Sequence, residues 1–282
     1  MNVVSELRRE YDFKGLLGLA AMPRSTYYHN LKRLDRPDRY KALRSEIRRI
    51  SKENNGRYGY RRVHLALANQ GIIVNHKVVM RLMKEEGLTC RIRMKKYRSY
   101  RGEVGKIAQN VIQRNFQTDQ PYKKLATDVT QFALFGKKLY LSPLLDLFNG
   151  EILSYALSYH PELHQVTHML EQAFEIIPKD ARPIVHSDQG WQYQHRHYQR
   201  LLSSKGWIQS MSRKGNCLDN AVMENFFGLL KSEFFYDQEF ESLNDFETRL
   251  EEYIHYYNTR RIKVKLKGMS PVDYRTHSSA PN

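Results

Sequence analysis

Three carboxylates stand where an acid has chemical work open to it. Asp128 lies inside an apolar run, Leu125 to Phe132 (LATDVTQF), that reads as a strand. Asp188 follows the short apolar stretch Ile184 to His186, in the word Ser187-Asp188-Gln189-Gly190. Glu224 stands near the start of a long helical pattern, Asn220 to Phe235. A carboxylate in a strand built for burial is costly unless it is paired or holds a cation. Hard oxygen ligands suit Mg²⁺ or Mn²⁺, and two such ions can activate a nucleophile and stabilise a leaving oxygen in phosphoryl transfer. Taken singly, each acid reads more readily as a turn or cap residue. Lys231 lies seven residues after Glu224, two turns along the same helix face.

Other groups carry less. His164 and His168 are spaced i, i+4 on a helical pattern, but Glu171 is the one acid close by on that face, so a solvent-facing role is preferred to a metal site. His195 and His197, two apart at a helix start, point in different directions. Asp146 ends a strand pattern, as a supporting carboxylate or as a strand-end cap. Cys217 has no identifiable base partner. With Cys90 it makes two cysteines far apart, which excludes a disulfide framework and a Cys-x-x-Cys zinc site and fits a reducing compartment.

The acids need a frame. After Tyr122 come apolar runs at Leu125–Phe132, Lys138–Leu147 and Glu151–Tyr159, the last two separated by the hairpin signal Asn149-Gly150. Then follow a helix (Leu163–Ile177), a strand (Ile184–His186), a helix (Tyr193–Ser204), a strand (Ile208–Met211) and the Asn220–Phe235 helix. Three antiparallel strands followed by alternating elements predict a mixed five-stranded sheet with helices on its faces, an α/β core.

Charge locates a second function. The chain has 282 residues and a net charge of +16, and residues 1–110 carry all of the excess, with 26 Lys and Arg against 10 Asp and Glu. A basic first part joined to a neutral remainder suggests a module that grips nucleic acid. That part reads as two helix-turn-helix pairs. The first is Phe13–Ala20 with Ser25–Leu34, Ser25 as its cap, and Arg24, Tyr27, Tyr28, Asn30 and Lys32 suited to a groove. The second is Tyr60–Gln70 with Asn75–Glu86, marked by Gly71, the cap Asn75 and the stop Gly87. Arg91 to Arg101 (RIRMKKYRSYR) holds six basic groups, Arg91, Arg93, Lys95, Lys96, Arg98 and Arg101, interleaved with Tyr97 and Tyr100. It can track phosphates, stack on exposed bases and serve as the linker. The expected layout is residues 1–90 helical and DNA-binding, 91–120 linker, 121–237 core and 238–282 a C-terminal helical tail. The start, MNVVSELRRE, does not read as a signal peptide, and no apolar run nears a membrane span.

Spacing then brings in a resemblance. Between Asp188 and Glu224 lie 35 residues, and the acids sit in Thr127-Asp128-Val129-Thr130, His186-Ser187-Asp188-Gln189-Gly190 and Asp219-Asn220-Ala221-Val222-Met223-Glu224. This resembles the D,D(35)E core shared by retroviral integrases and bacterial insertion-sequence transposases. It is most similar to the second-frame product, OrfB, of the IS-three family, in its IS-150-like branch. Arg57-Tyr58-Gly59-Tyr60-Arg61-Arg62 resembles that family's N-terminal helical module, and Ser210 to Asn216 (SMSRKGN) the loop before its catalytic Glu. Tyr256-Tyr257-Asn258-Thr259-Arg260-Arg261, then Gly268-Met269-Ser270-Pro271, resembles its C-terminal signature. The likeness covers essentially the whole chain. Two words depart from it: Leu125 stands where many relatives have Trp, and Ile262-Lys263 follow Arg260-Arg261 where many have an Arg-x-His word.

The resemblance implies a ribonuclease-H-like fold, with Asp128, Asp188 and Glu224 as catalytic ligands of two Mg²⁺ ions that Mn²⁺ can replace. It implies a DNA contact for Lys231 and a mobile basic loop at Arg213-Lys214. Arg57, Arg61, Arg62, Arg260 and Arg261 are expected on DNA through the same words. The implied partners are double-stranded DNA, as terminal inverted repeats and target, a second copy on DNA, and the upstream-frame product or a fusion with it. The implied setting is the bacterial cytoplasm, at the nucleoid. The expected function is a DNA transposase that cuts and joins strands. The rival readings are a non-catalytic DNA-binding regulator and a cut-only nuclease of the same fold; a glycosidase is a distant third, since it has no use for the charge asymmetry.

Overall fold

The computed structural model describes residues 2–34, 38–88, 90, 107–213, 216–236 and 238–279. Arg91, Arg93, Lys95, Lys96 and Arg98 of the expected linker, and Lys214 of the expected loop, lie outside the described residues. The chain forms two compact units, residues 1–49 and 50–282. The boundary falls within a helix, inside the stretch 1–90 read as helical with two helix-turn-helix pairs.

The smaller unit holds α1 (Asn2–Leu7), α2 (Phe13–Leu19), α3 (Arg24–Leu34) and most of α4 (Lys41–Glu53). Asp12 caps α2 by accepting the Gly15 N–H at 2.7 Å. Helix α3 starts one residue before the expected cap Ser25, with the Pro23 carbonyl accepting the Tyr27 N–H at 3.0 Å. Tyr27, expected at a DNA groove, is instead fully buried with Val4 and Leu17. Its ring meets Phe13 edge-on at 4.9 Å and its hydroxyl lies 2.9 Å from Ser5 Oγ. An aromatic one turn before Leu31 extends the apolar stripe and is drawn inward. Arg24 and Tyr28 stay exposed.

After the last turn of α4, the larger unit holds α5 (Tyr60–Asn69) and α6 (His76–Glu85), which pack through Val63, Leu67, Val79, Leu82 and Met83. Asn75 caps α6 as its sequence predicts, accepting the Lys77 N–H at 2.8 Å. This hairpin is tied to the C-terminal segment. Tyr58 donates its hydroxyl to the Arg260 carbonyl at 3.1 Å, and Asn69 donates its amide to the Gly268 carbonyl at 3.0 Å.

The sheet comprises β1 (Lys124–Thr127), β2 (Thr130–Leu134), β3 (Lys137–Asp146), β4 (Ile152–Ser158), β5 (Ile184–Ser187) and β6 (Ile208–Met211). β3 pairs antiparallel with β4 on one side and with β1 and β2 on the other, while β1, β5 and β6 run parallel. β1 and β2 occupy one place in the sheet: Thr127 faces Leu144 and Thr130 faces Leu141, the same register carried through. The expected five positions are present, and the first strand is broken at Asp128-Val129. The carried register sets Pro143 opposite Asp128, and proline has no N–H for the ladder.

Helices cover both faces. α7 (Leu163–Ile176), α8 (Trp191–Gln194) and α9 (Arg196–Ser204) pack on Leu125, Leu144, Leu153 and Val185. The expected helix over Tyr193–Ser204 breaks at His195, which accepts the His197 N–H and restarts it. The other face carries α10 (Ala221–Leu230), a π-helical turn at Lys231–Phe235, α11 (Leu243–Thr259) and α12 (Pro271–Ser279). There Phe132 meets Phe235 at 5.2 Å and Phe246 at 5.1 Å. Burying each such ring stabilises the fold by about 1.5–3 kcal/mol. No described helix is long and apolar enough to cross a membrane.

Candidate active site

Side chains alternate across a strand, so Leu125 and Thr127 face α7 and α8, whereas Asp128 and Phe132 share the face under α10. Asp128 sits in the break between β1 and β2. Because β1 and β5 are parallel neighbours with Ala126 opposite His186, two further residues along each bring Asp128 and Asp188 level at the strand ends. Glu224 projects from the first turn of α10.

The three acids feel one another. Burial first, then the charges of Asp188 and Glu224, push the Asp128 carboxyl well above the usual carboxylate range. Burial also raises Asp188 and Glu224. Few hydrogen bonds oppose this. Asp128 Oδ1 accepts the Val129 N–H at 2.7 Å and Oδ2 accepts the Asn220 amide at 3.0 Å. Asp188 Oδ1 accepts the Gly190 N–H at 2.8 Å. A Cβ on Gly190 would lie 2.9 Å from that same oxygen, so a side chain there would push the carboxylate aside. Lys231 sits over the Phe132 ring at 5.5 Å; burial lowers its amine pKa and Asp128 opposes that shift.

These residues suit a hard divalent cation: three oxygen donors, partly or wholly buried, each disfavouring its own negative charge. Among the described residues no three of His, Cys, Asp and Glu are grouped closely enough to hold an ion as they stand. The acids converge without closing into a coordination shell.

A second layer holds the strand ends and the start of α10. His186 bonds through Nδ1 to Ser210 Oγ and through Nε2 to the Asp219 carbonyl, each at 2.8 Å. The buried Tyr193 hydroxyl lies 3.5 Å from Thr127 Oγ1, its pKa raised by burial and then by Asp128 and Asp188. Sequence reasoning missed Asn220, Asp219 and Tyr193 as parts of the site. The Asp219-Asn220 pair at the helix start was a usable signal.

The remaining sequence candidates scatter. Arg261, expected on DNA, is buried: its guanidinium reaches Glu233 at 2.8 and 2.7 Å. Arg62 joins the same carboxylate at 3.2 Å, and Arg57 donates to the Glu233 carbonyl at 3.2 Å and lies over Tyr253 and Tyr256. A buried acid must be compensated, and these arginines do that. Burial would raise the Glu233 carboxyl, but Arg261 and Arg62 hold it below its ordinary value. Arg61 and Arg260 are exposed, packed over Tyr60 and Tyr256. Arg213 is exposed and paired with Asp219. Asp146 caps its strand end, accepting the Tyr122 and Phe148 N–H groups at 2.8 and 2.9 Å, apart from the acidic trio. His164 and His168 stack on an exposed helix face.

A mixed sheet of this order with acids at adjacent strand ends defines an integrase-type, ribonuclease-H-like core. Residues 118–217 match the integrase core domain family, residues 224–278 a second family of that description, and residues 38–96 an HTH-like domain. The chain is 53% identical, over 100% of its length and 99% of the relative's, to the protein named as transposase InsK of insertion sequence element IS150 in Escherichia coli (strain K12). It is 34% identical, over 84% of its length and 94% of the relative's, to the transposase of IS904 from Lactococcus lactis. A solved HTLV-2 integrase catalytic core, in complex with magnesium, aligns with 56% of this chain and 99% of its own at 15% identity and a TM-score of 0.46. The chain belongs to the IS3-family insertion-sequence transposases, in the IS150-like branch. It is a DNA transposase of the DDE class.

Proposed function

We propose that Asp128, Asp188 and Glu224 are the metal-binding catalytic residues of this transposase, and that two Mg²⁺ ions, replaceable by Mn²⁺, are what they hold. The observation that carries the reading is the level placement of Asp128 and Asp188 under α10, with all three carboxyls raised. Bound there, divalent cations would supply Lewis-acid activation of the attacking oxygen and charge stabilisation of the leaving one. The chain's own groups do the rest. The helical hairpins before residue 90 grip the element's terminal inverted repeats. The carboxylates would hold the cations at the strand ends, where the scissile phosphate must lie, and Lys231 supplies positive charge to it from the α10 side.

The reaction then runs in two in-line displacements. A water oxygen attacks phosphorus, the P–O3′ bond breaks, and the water proton leaves to solvent, freeing a 3′-hydroxyl. That hydroxyl attacks a second phosphate, expelling another 3′-oxygen. No protein–DNA bond is needed. Two ends must meet, so the working form is an oligomer of the chain on DNA, joined by the upstream-frame product or a fusion with it, at the bacterial nucleoid.

The test uses the purified chain with labelled element-end DNA in Mg²⁺ or Mn²⁺, beside Glu224→Gln. Nicking and end joining that vanish in the variant support the reading. Nicking without joining would make the chain a cut-only nuclease. Binding with neither, even with the upstream frame added, would make it a regulator.

A further inference from the structure

The edge of the site carries a second polar construction that the acidic trio does not use. Asp219 is wholly buried, and two arginines converge on its carboxylate. Arg213 reaches it through Nε at 2.9 Å and Nη2 at 3.1 Å; Arg114 reaches it through Nε at 2.8 Å and bonds Asn216 Oδ1 through Nη2 at 2.8 Å. Asn110 adds its amide at 3.0 Å. Two cations on one carboxylate leave a positive charge in excess. Both arginine side chains remain open to solvent, 59% for Arg213 and 42% for Arg114, while the acid that orients them is closed. A guanidinium has five N–H donors, and these contacts leave some on each unused.

The backbone is bent to bring Arg114 there. Gln113 and Arg114 stand consecutively at φ 49° and 64°, left-handed without a glycine. The turn is held by Asn110 Oδ1, which accepts the Gln113 N–H at 2.8 Å, and by Ser210 Oγ, which accepts the Val111 N–H at 2.9 Å. Strain of this kind persists only where its surroundings enforce it, and it gathers at ligand sites. One arginine would neutralise Asp219; the second, brought in through a strained turn, is surplus to that need. The place matters too, since Asp219 adjoins Asn220, whose amide bonds Asp128.

We propose that Arg114 and Arg213, oriented by Asp219, form a clamp for a DNA backbone phosphate beside the catalytic carboxylates. The ligand is a phosphodiester, for which a preorganised guanidinium fork is the fitting receptor. The clamp rests on the transposase reading of the site, and it makes Arg114 a DNA contact outside the helical hairpins.

The experiment measures binding of the full chain to element-end DNA across a salt series. Each phosphate contact contributes about −0.9 to the slope of log K against log salt. Arg114→Gln is expected to make the slope shallower by about one, and Arg114→Lys, which keeps the charge, to restore it. Lys205→Gln removes one exposed charge at the end of α9, outside the clamp and the acids, and is expected to leave the slope unchanged. Arg213→Gln repeats the test should Arg114→Gln fail to fold. An unchanged slope in both glutamine variants, or an equal change in Lys205→Gln, overturns the clamp and makes the arginines structural pins, while the transposase reading stands. Failure of the wild-type chain to bind or cut its ends would remove both.

Discussion

The side-chain amide of Asn220 donates to Asp128 Oδ2 at 3.0 Å, across 92 residues of sequence. It is a bond between the broken first strand and the turn that starts α10, and it holds the carboxylate on the helix that carries Glu224. Among the described residues it is one of two hydrogen bonds to Asp128 that favour its charged form against burial and like charge. We therefore expect Asn220→Ala to leave end binding within about two-fold and to lower metal-dependent joining by about 10- to 100-fold, as loss of ligand-orienting bonds does. Gel shift and joining rate, measured on the same preparation, check this; unchanged joining would show that the bond orients nothing of consequence.

Glu233 binds the helical hairpin to the catalytic helix. Its carboxylate takes Arg62 from α5, Arg261 from beyond α11 and the Tyr253 hydroxyl at 3.0 Å. Glu233→Ala leaves Arg261 buried without its acid, and loss of one partner from a buried pair costs about 3–5 kcal/mol. Urea unfolding should show a loss of that order in the larger unit. A change below about 1 kcal/mol would mean that water or another acid replaces Glu233.

Asp146 gives a pH dependence with a definite sign. Burial, opposed by its two backbone donors, pushes its carboxyl up from 3.8 to about 6. Between those values the folded chain holds a proton that the unfolded chain has released, so stability falls as pH rises from about 4 to about 6 and is level beyond. The displacement corresponds to about 3 kcal/mol at most. The stability of wild type relative to Asp146→Asn should decline over that window. A rise over the same window would contradict the assignment.

What the sequence made legible follows local periodicity. The strands, the α10 helix and the cap at Asn75 were readable because each is set by residues within a turn or a pleat of one another. The acidic trio was readable from spacing and flanking words. The break at Asp128 was not, because it depends on Pro143 arriving opposite it, and register is a property of two strands. Glu233 was hidden for a similar reason: Arg62 lies 171 residues before it and Arg261 28 after it. Arg261 is therefore expected on DNA by the C-terminal word that holds it, which does not show its buried partner. Tyr27 was misjudged because an aromatic one turn before a leucine serves a core as well as it serves a groove. The π-helical turn at Lys231–Phe235 left no periodic trace over so few residues.

The central claim is that Asp128, Asp188 and Glu224 act as one catalytic unit. The most direct measurement is single-turnover end joining by wild type, Asp128→Asn, Asp188→Asn, Glu224→Gln and the triple variant, all with wild-type end binding confirmed. Residues that work as a unit are non-additive, so each single variant should lose about as much joining as the triple, on the order of a thousand-fold or more. Near-normal joining by any single variant would contradict the claim.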